Sequence, residues 1–458
     1  MTAQPVSAPA SDANLARLDR NAPRYTSFPT AAQFTPAVGE AEARRWLAAL
    51  PDGEPVSLYV HLPFCKRLCW YCGCNTRAVN RREVISSYVE LIGAEARMTA
   101  EAAGRRLRVA CLHLGGGTPN MLSPEDLNRL FDLLGSAFDL DAADEIAAEL
   151  DPATLTEAWV QAATDRGLTR ASLGVQDLSP VVQQAVNRIE PFGVVERAAG
   201  WLRAAGVRSL NLDLMYGLPE QGVRDVLRTL DQVLTLRPDR IALFGYAHVP
   251  WMKPHQRLID ETRLPDTAQR LAQSQAAADK LWDAGYAAIG IDHFALPSDS
   301  LARAARAGRL HRNFQGYTDD GSEALIGLGA SSISRTAEGY WQNHTAELAW
   351  RTTVAEKCLP VARGVQLTQG DRLRAEIIER LMCDFAVDLL AVCASHGAGL
   401  EMLRPDLLRL AVCEAEGLAA SDHGRVQATP AGRRFVRLIA AAFDPYFDAA
   451  ANRHARVS

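Results

Sequence analysis

Six short apolar runs recur between residues 56 and 244: Val56-Ser-Leu-Tyr-Val60, Val109-Ala-Cys-Leu-His-Leu114, Glu145-Ile-Ala-Ala-Glu-Leu150, Thr169-Arg-Ala-Ser-Leu173, Ser209-Leu-Asn-Leu-Asp-Leu214 and Arg240-Ile-Ala-Leu-Phe244. Runs this short and aliphatic predict strands. Segments with helical spacing lie between most of them. Ser123 suits an N-cap and Pro124 a first helical position, after which Leu127, Leu130, Phe131 and Leu134 fall on one face. Val194, Ala198, Trp201 and Leu202 make another stripe before the strand at 209. Strands alternating with helices predict right-handed βαβ units and a parallel sheet. Six units predict an α/β fold built as an open or partial (β/α)6 barrel, with its chemistry at the carboxyl ends of the strands. The distinctive residues do follow the strands: a cysteine cluster after the first, Gly115-Gly-Gly117 after the second, Glu149-Leu-Asp151 at the third, Gly174-Val-Gln-Asp177 after the fourth and Met215-Tyr-Gly-Leu-Pro219 after the fifth.

Past about residue 295 the pattern changes. A loop-like stretch, His311-Arg-Asn-Phe-Gln-Gly-Tyr317, precedes Gly327-Leu-Gly329. From about Asp371 the chain reads as amphipathic helices, closing on a short polar turn and Val426-Gln-Ala-Thr429. The expected division is an N-terminal arm and lead-in over 1–54, the barrel over 55–295, and a mostly helical C-terminal domain covering the substrate over 296–458.

Composition narrows the function classes. The 458 residues are 48% apolar and 22% charged, enough to fill a sizeable core. A net charge of −5 gives no footprint for a nucleic-acid backbone, which excludes nucleic acid as the default partner. No apolar stretch is long enough for a membrane span, and Met1–Arg20, with Asp12 and Asp19, lacks a signal-peptide run. A cytoplasmic protein is expected. Only four lysines stand against 45 arginines; arginine suits carboxylate binding, but such uniform usage reads first as genome composition. Of nine cysteines, Cys111, Cys358, Cys383, Cys393 and Cys413 are scattered and read as buried or partly buried thiols.

The other four form Cys65-x3-Cys69-x2-Cys72-x-Cys74. Thiolates are soft ligands that suit zinc or an iron–sulfur cluster. A structural zinc site usually pairs two short spacings far apart in the chain, and a fully ligated cubane takes four cysteines. Three cysteines on one loop would instead leave one iron of a [4Fe–4S] cluster open to a small molecule.

The C-x3-C-x2-C spacing after a first strand resembles the signature of radical S-adenosylmethionine (radical SAM) enzymes. Further stretches narrow the resemblance: His61-Leu-Pro-Phe-Cys65, Cys72-Gly-Cys74-Asn75, Gly115-Gly-Gly-Thr-Pro119, Gly174-Val-Gln-Asp177, Asn211-Leu-Asp-Leu214, Tyr216-Gly-Leu-Pro219, Tyr246-Ala-His248, Asp292-His-Phe294 and the 311–317 stretch. The arm Pro23-Arg-Tyr-Thr-Ser-Phe-Pro-Thr30 belongs to the same set, with Phe28 where tyrosine is more usual. From about residue 20 to the end the chain resembles the oxygen-independent coproporphyrinogen III oxidases (coproporphyrinogen dehydrogenases) of bacterial haem synthesis.

That resemblance implies a partial (β/α)6 radical SAM barrel. It implies Cys65, Cys69 and Cys72 as ligands of a [4Fe–4S] cluster whose free iron chelates S-adenosylmethionine. An electron passed through the cluster would release methionine and a 5′-deoxyadenosyl radical, which takes a hydrogen from the β-carbon of a substrate propionate. Loss of carbon dioxide and one electron leaves a vinyl group, and two rounds turn coproporphyrinogen III into protoporphyrinogen IX. Cys74 would support catalysis beside the cluster without ligating it. Gly116, Gly117, Thr118, Glu149, Gln176, Arg188 and Asp213 would contact S-adenosylmethionine, with Tyr59, Tyr71, Ala247 and Ile333 lining the same cavity; two S-adenosylmethionine molecules are implied. Arg24, His311, Arg312 and Asn313 are substrate candidates. A reductant protein and an electron acceptor, neither identified by the sequence, complete the expected partners of a monomer. Three alternatives are a haem-trafficking chaperone of the same fold, a radical enzyme acting on a different substrate, and a zinc-stabilised binding module. Such chaperones generally lack the fourth cysteine and the Pro-Arg-Tyr-Thr arm.

Overall fold

The computed structural model describes residue 18 and residues 20–448, so most of the Ala-, Ser- and Pro-rich opening lies outside the described residues. Strands form at all six apolar runs: β1 (Val56–Leu62), β2 (Leu107–Gly116), β3 (Glu145–Leu150), β4 (Arg170–Gln176), β5 (Ser209–Tyr216) and β6 (Arg240–Gly245). Each pairs in parallel with the next. The intervening helices are α1 (Arg82–Ala103), α2 (Pro124–Ala137), α3 (Glu157–Asp165), α4 (Phe192–Ala204) and α5 (Val223–Thr235), with α6 (Thr267–Asp283) after β6. Ser123 caps α2, its hydroxyl accepting the Asp126 N–H at 3.1 Å, and the expected leucine–phenylalanine face is buried. On α4 the buried face is Val195, Ala198, Ala199 and Leu202, rotated from the expected stripe. Those four follow the i, i+3, i+4, i+7 spacing more closely, and Trp201 is left partly out, under the Arg197 guanidinium.

All seven residues of β1 are buried, because it lies between β2 and a seventh parallel strand, β9 (Ala324–Leu328). Beyond β6 the sheet continues through β8 (His293–Ala295) to β7 (Ala287–Ile289), and beyond β9 through β10 (Ile333–Arg335), β11 (Gly339–Asn343) and β12 (Val361–Gln366). Those outer strands are antiparallel. The stretch 324–366, expected in the helical domain, therefore builds one flank of the sheet. Ala324-Leu-Ile-Gly-Leu328 is wholly buried and satisfies the backbone edge that β1 would otherwise leave open.

Helices resume at Gln369–Asp384, Leu389–Ser395, Arg404–Ala415 and Val436–Ala441, with a small antiparallel sheet of Ala386–Asp388, Ala419–Asp422 and Arg425–Ala428. They enclose a second hydrophobic core that also takes in Ala22, Tyr25 and Phe28 of the arm. Tyr25 donates its hydroxyl to Asp444 Oδ2 at 3.1 Å, and Arg437 Nε donates to the Pro23 carbonyl at 3.0 Å. Among the described residues no helix is long and apolar enough to cross a membrane.

Candidate active site

The four clustered cysteines leave β1 on a loop at the carboxyl ends of the parallel strands, and all are free thiols. Three of the four sulfurs meet a donor. Thr118 donates its hydroxyl to Cys65 Sγ at 3.5 Å, and Thr76 Oγ1 lies 3.1 Å from the same sulfur. Arg188 Nη1 points at Cys69 Sγ from 3.6 Å, and the Tyr71 phenol also hydrogen-bonds that sulfur. The Cys74 N–H donates to Cys72 Sγ at 3.4 Å. Together with the Cys74 thiol, that contact brings Cys72 down to about 7, while burial pushes Cys65 and Cys69 up. Among the described residues no three His, Cys, Asp or Glu side chains converge as ligands of one ion would. The corners of a cubane are separate, so thiols spaced around one need not converge. Soft sulfurs met by hydrogen-bond donors fit such a cluster.

The loop is tied down from residues 253–256, which no motif in the sequence marks. Lys253 Nζ donates to the Cys74 carbonyl at 3.0 Å, His255 Nε2 sits 2.7 Å from the Cys72 carbonyl, and Gln256 Nε2 reaches the Tyr71 carbonyl at 2.9 Å. The same Gln256 amide lies 3.3 Å from the Ala247 carbonyl, so Ala247 and Tyr71 share one anchor.

At the end of β2 the glycines make room for protein rather than for empty space. A Cβ on Gly116, whose φ is +107°, would stand 2.5 Å from the His61 ring, and one on Gly117 2.6 Å from the Phe64 carbonyl. Gly116 donates its N–H to Glu149 Oε2 at 3.1 Å, and His113 Nε2 lies 3.1 Å from Glu149 Oε1. Burial would raise this carboxyl, but His113 and that N–H hold it below the usual carboxylate range. Tyr59 lies beside it, its hydroxyl 3.0 Å from His61 Nδ1.

Arg188 is largely buried and donates from Nη2 to the Gly174 carbonyl at 2.5 Å, to Glu190 at 3.1 Å and to Asp151 at 3.3 Å. Its Nε has no partner among the described residues, a buried donor available to a ligand. Gln176 ends β4 at a bulge, with a φ of +67° that few non-glycine residues adopt. Asp213 on β5 accepts from Ser172 Oγ at 2.8 Å and Asn211 Nδ2 at 2.7 Å, and burial raises it. Ile333 begins β10, its carbonyl against Gly327, which is the register partner of Tyr59. Strand ends and the cysteine loop thus collect the residues expected around S-adenosylmethionine. His113, Ser172 and the 253–256 segment were not anticipated; nothing in their local sequence marks them.

The substrate candidates separate. Arg24 lines a cavity of about 1580 Å³ between the carboxyl ends of β5 and β6 and the C-terminal helices, with Ala247 on the same wall. Arg312 stacks on Tyr317 at 4.4 Å and donates to the Arg24 carbonyl at 3.4 Å. His311 faces Glu379 at 3.3 Å, and Asn313 Oδ1 accepts the Gln315 N–H at 2.9 Å. Among the described residues eight arginines line the cavity, including Arg270, Arg409, Arg434 and Arg437, four that the sequence did not point to. They come from the arm, the barrel and the C-terminal helices, so no run in the sequence announces them. Burial and the neighbouring Arg24 and Arg312 bring Arg437 down to about 9; burial also lowers Arg24 and Arg434. Like charges crowded this way are relieved by a bound anion.

A thiol loop at the open end of a parallel α/β barrel, with a charged pocket beside it, defines a radical SAM protein, and residues 59–233 match the Radical SAM superfamily. Residues 367–435 match the HemN C-terminal domain. The chain is 45% identical to an oxygen-independent coproporphyrinogen III oxidase of Bradyrhizobium diazoefficiens, covering 95% of this chain and 96% of that one. It is 43% identical to the enzyme of the same name from Paracoccus denitrificans, covering 96% and 97%. The solved coproporphyrinogen III oxidase (HemN) of Escherichia coli superposes with a TM-score of 0.88 at 37% identity, covering 93% of this chain and 98% of that one. The chain belongs to the oxygen-independent coproporphyrinogen III oxidases, a family of radical SAM oxidoreductases.

Proposed function

We propose that the protein removes carbon dioxide and hydrogen from two propionates of coproporphyrinogen III, leaving vinyl groups and giving protoporphyrinogen IX. The observation that carries this reading is the arginine-lined cavity that opens beside Ala247 at the strand ends. Four carboxylates on one substrate call for several guanidinium groups spread over a wide wall, and arginine binds carboxylates through paired N–H donors.

Cys65, Cys69 and Cys72 would hold the [4Fe–4S] cluster, leaving one iron for S-adenosylmethionine. When bound, the two supply the radical that takes hydrogen from the propionate β-carbon. The residues around them bind and orient. Arg188 would face a carboxylate of S-adenosylmethionine with its free Nε, and Glu149 and Asp213 would face cationic or hydroxyl groups. Gln176, Thr118 and the Gly116–Gly117 backbone supply further polar contacts, and Tyr59, Tyr71, Ala247 and Ile333 form the walls that exclude water. Cys74 would tune Cys72 through its N–H and thiol rather than ligate iron. A second S-adenosylmethionine fits the same reading. Arg24 would contact the substrate directly, while His311, Arg312 and Asn313 would shape the antiparallel turn of His311–Asn313 and Gly316–Thr318 behind it. The enzyme would act as a cytoplasmic monomer served by a reductant protein and an electron acceptor.

The test is anaerobic turnover of cluster-loaded protein with reductant, S-adenosylmethionine and coproporphyrinogen III. Substrate-dependent 5′-deoxyadenosine with a tetrapyrrole lighter by two carboxyl groups is expected. Deoxyadenosine without decarboxylation would sink the substrate. Neither product, from protein with a verified cluster, would favour the haem chaperone.

A further inference from the structure

We propose that Asp292 accepts the pyrrole N–H groups at the centre of the bound substrate while the arginines around it hold the peripheral carboxylates; this deepens, and rests on, the substrate reading above. In a porphyrinogen, saturated bridges leave every pyrrole with an N–H and no acceptor within the ring. Buried donors need partners, and arginine supplies donors only. The cavity therefore needs an acceptor, and among the described residues its wall carries two carboxylates, Asp279 and Asp292. Asp279 stands exposed on α6 and already takes the Gln275 amide at 2.7 Å.

Asp292 is different in every respect. It sits between β7 and β8, and the Leu243 N–H donates to its carbonyl at 2.8 Å, fixing it against β6. His293 Nδ1 lies 2.6 Å from its Oδ1, and Arg312 Nη1 is 4.0 Å from the same oxygen. His293 is held edge-on between Phe244 and Tyr317, which fixes the direction of that contact. Oδ2 has no hydrogen-bond partner among the described residues. Burial would raise this carboxyl, but His293, Arg312 and Arg24 hold it at about 2, so it is an anion at any working pH. A fixed anion with one free oxygen can accept from more than one N–H of a single ring face.

Two simpler roles make different predictions. A carboxylate that only balances charge would, when neutralised, let the arginines bind any tetracarboxylate more tightly. A strut for Arg24 and Arg312 would, when removed, loosen every tetracarboxylate alike. Anaerobic calorimetry on the cluster-loaded full chain, without S-adenosylmethionine, separates them with two probes: coproporphyrinogen III, and palladium(II) coproporphyrin III. The latter carries the same carboxylates, has no N–H and takes no axial ligand. Asp292→Asn is expected to weaken coproporphyrinogen binding at least tenfold and to change palladium-complex binding by less than threefold, or to tighten it. Thermal unfolding checks the fold, and Asp292→Ser replaces the variant if it fails to fold. Equal weakening of both probes, or of neither, overturns the role of Asp292. If the unaltered protein binds the palladium complex but not coproporphyrinogen III, the substrate reading itself falls.

Discussion

Thiols three and four residues apart on one loop meet different partners here, so their losses should read differently. Cys69 faces Arg188 and Tyr71, and its removal leaves a buried guanidinium without its sulfur. Cys69→Ala is expected to abolish the brown absorbance and most bound iron after anaerobic reconstitution, with far-ultraviolet dichroism unchanged. Cys74→Ser is expected to keep its iron and sulfide and to lose about 10- to 100-fold in turnover; loss of the cluster would make Cys74 a ligand after all. Gly116→Ala puts a Cβ 2.5 Å from His61 at a φ of +107° and disturbs the N–H that holds Glu149, so a loss of about 3 kcal/mol in denaturant titration is expected. The cysteines and the glycine run were legible because their chemistry is carried by identity and spacing. Thr76, His113 and Ser172 were not, because a serine or histidine gains its meaning only from the strand it faces.

At the scale of elements, the six apolar runs were legible because strands buried on both faces need continuous aliphatic sequence. The seventh, Ala324-Leu-Ile-Gly-Leu328, falls within the 296–458 stretch expected to be mostly helical. Its pairing with β1 is set by a partner 268 positions away in register, Val56 with Ala324, which no local pattern reveals. The arm shows the same limit: its motif was visible, yet its burial was not. Tyr25 and Phe28 complete the C-terminal core, with Phe28 6.0 Å from Tyr446 between ring centres. Phe28→Ala should cost about 3 kcal/mol and open the C-terminal helices to limited proteolysis well before the barrel. Simultaneous cutting of both regions would instead mean that the arm and helices share one cooperative unit with the sheet.

The molecule as a whole is joined by a buried carboxylate that neither the barrel nor the flank satisfies alone. Glu95 on α1 accepts from the Gly329 N–H at 2.8 Å, Asn343 Nδ2 at 2.5 Å and Trp350 Nε1 at 3.0 Å, tying α1 to the turn that leads into Ile333. Burial outweighs those three donors and raises its carboxyl to about 7. The folded protein therefore holds a proton on Glu95 between the unfolded value near 4.5 and about pH 7, where the unfolded chain has released it. Its contribution is full below that lower value, falls as pH rises through the window, and is lost above about 7, a span of order 3 kcal/mol. Glu95→Gln cannot titrate, so its stability plotted against pH should lack this decline while that of the parent keeps it. Chemical denaturation of both proteins at half-unit steps from pH 5 to pH 8 measures the difference. Parallel curves would mean that Glu95 stays ionised in the fold and that its three N–H donors, not burial, set its charge.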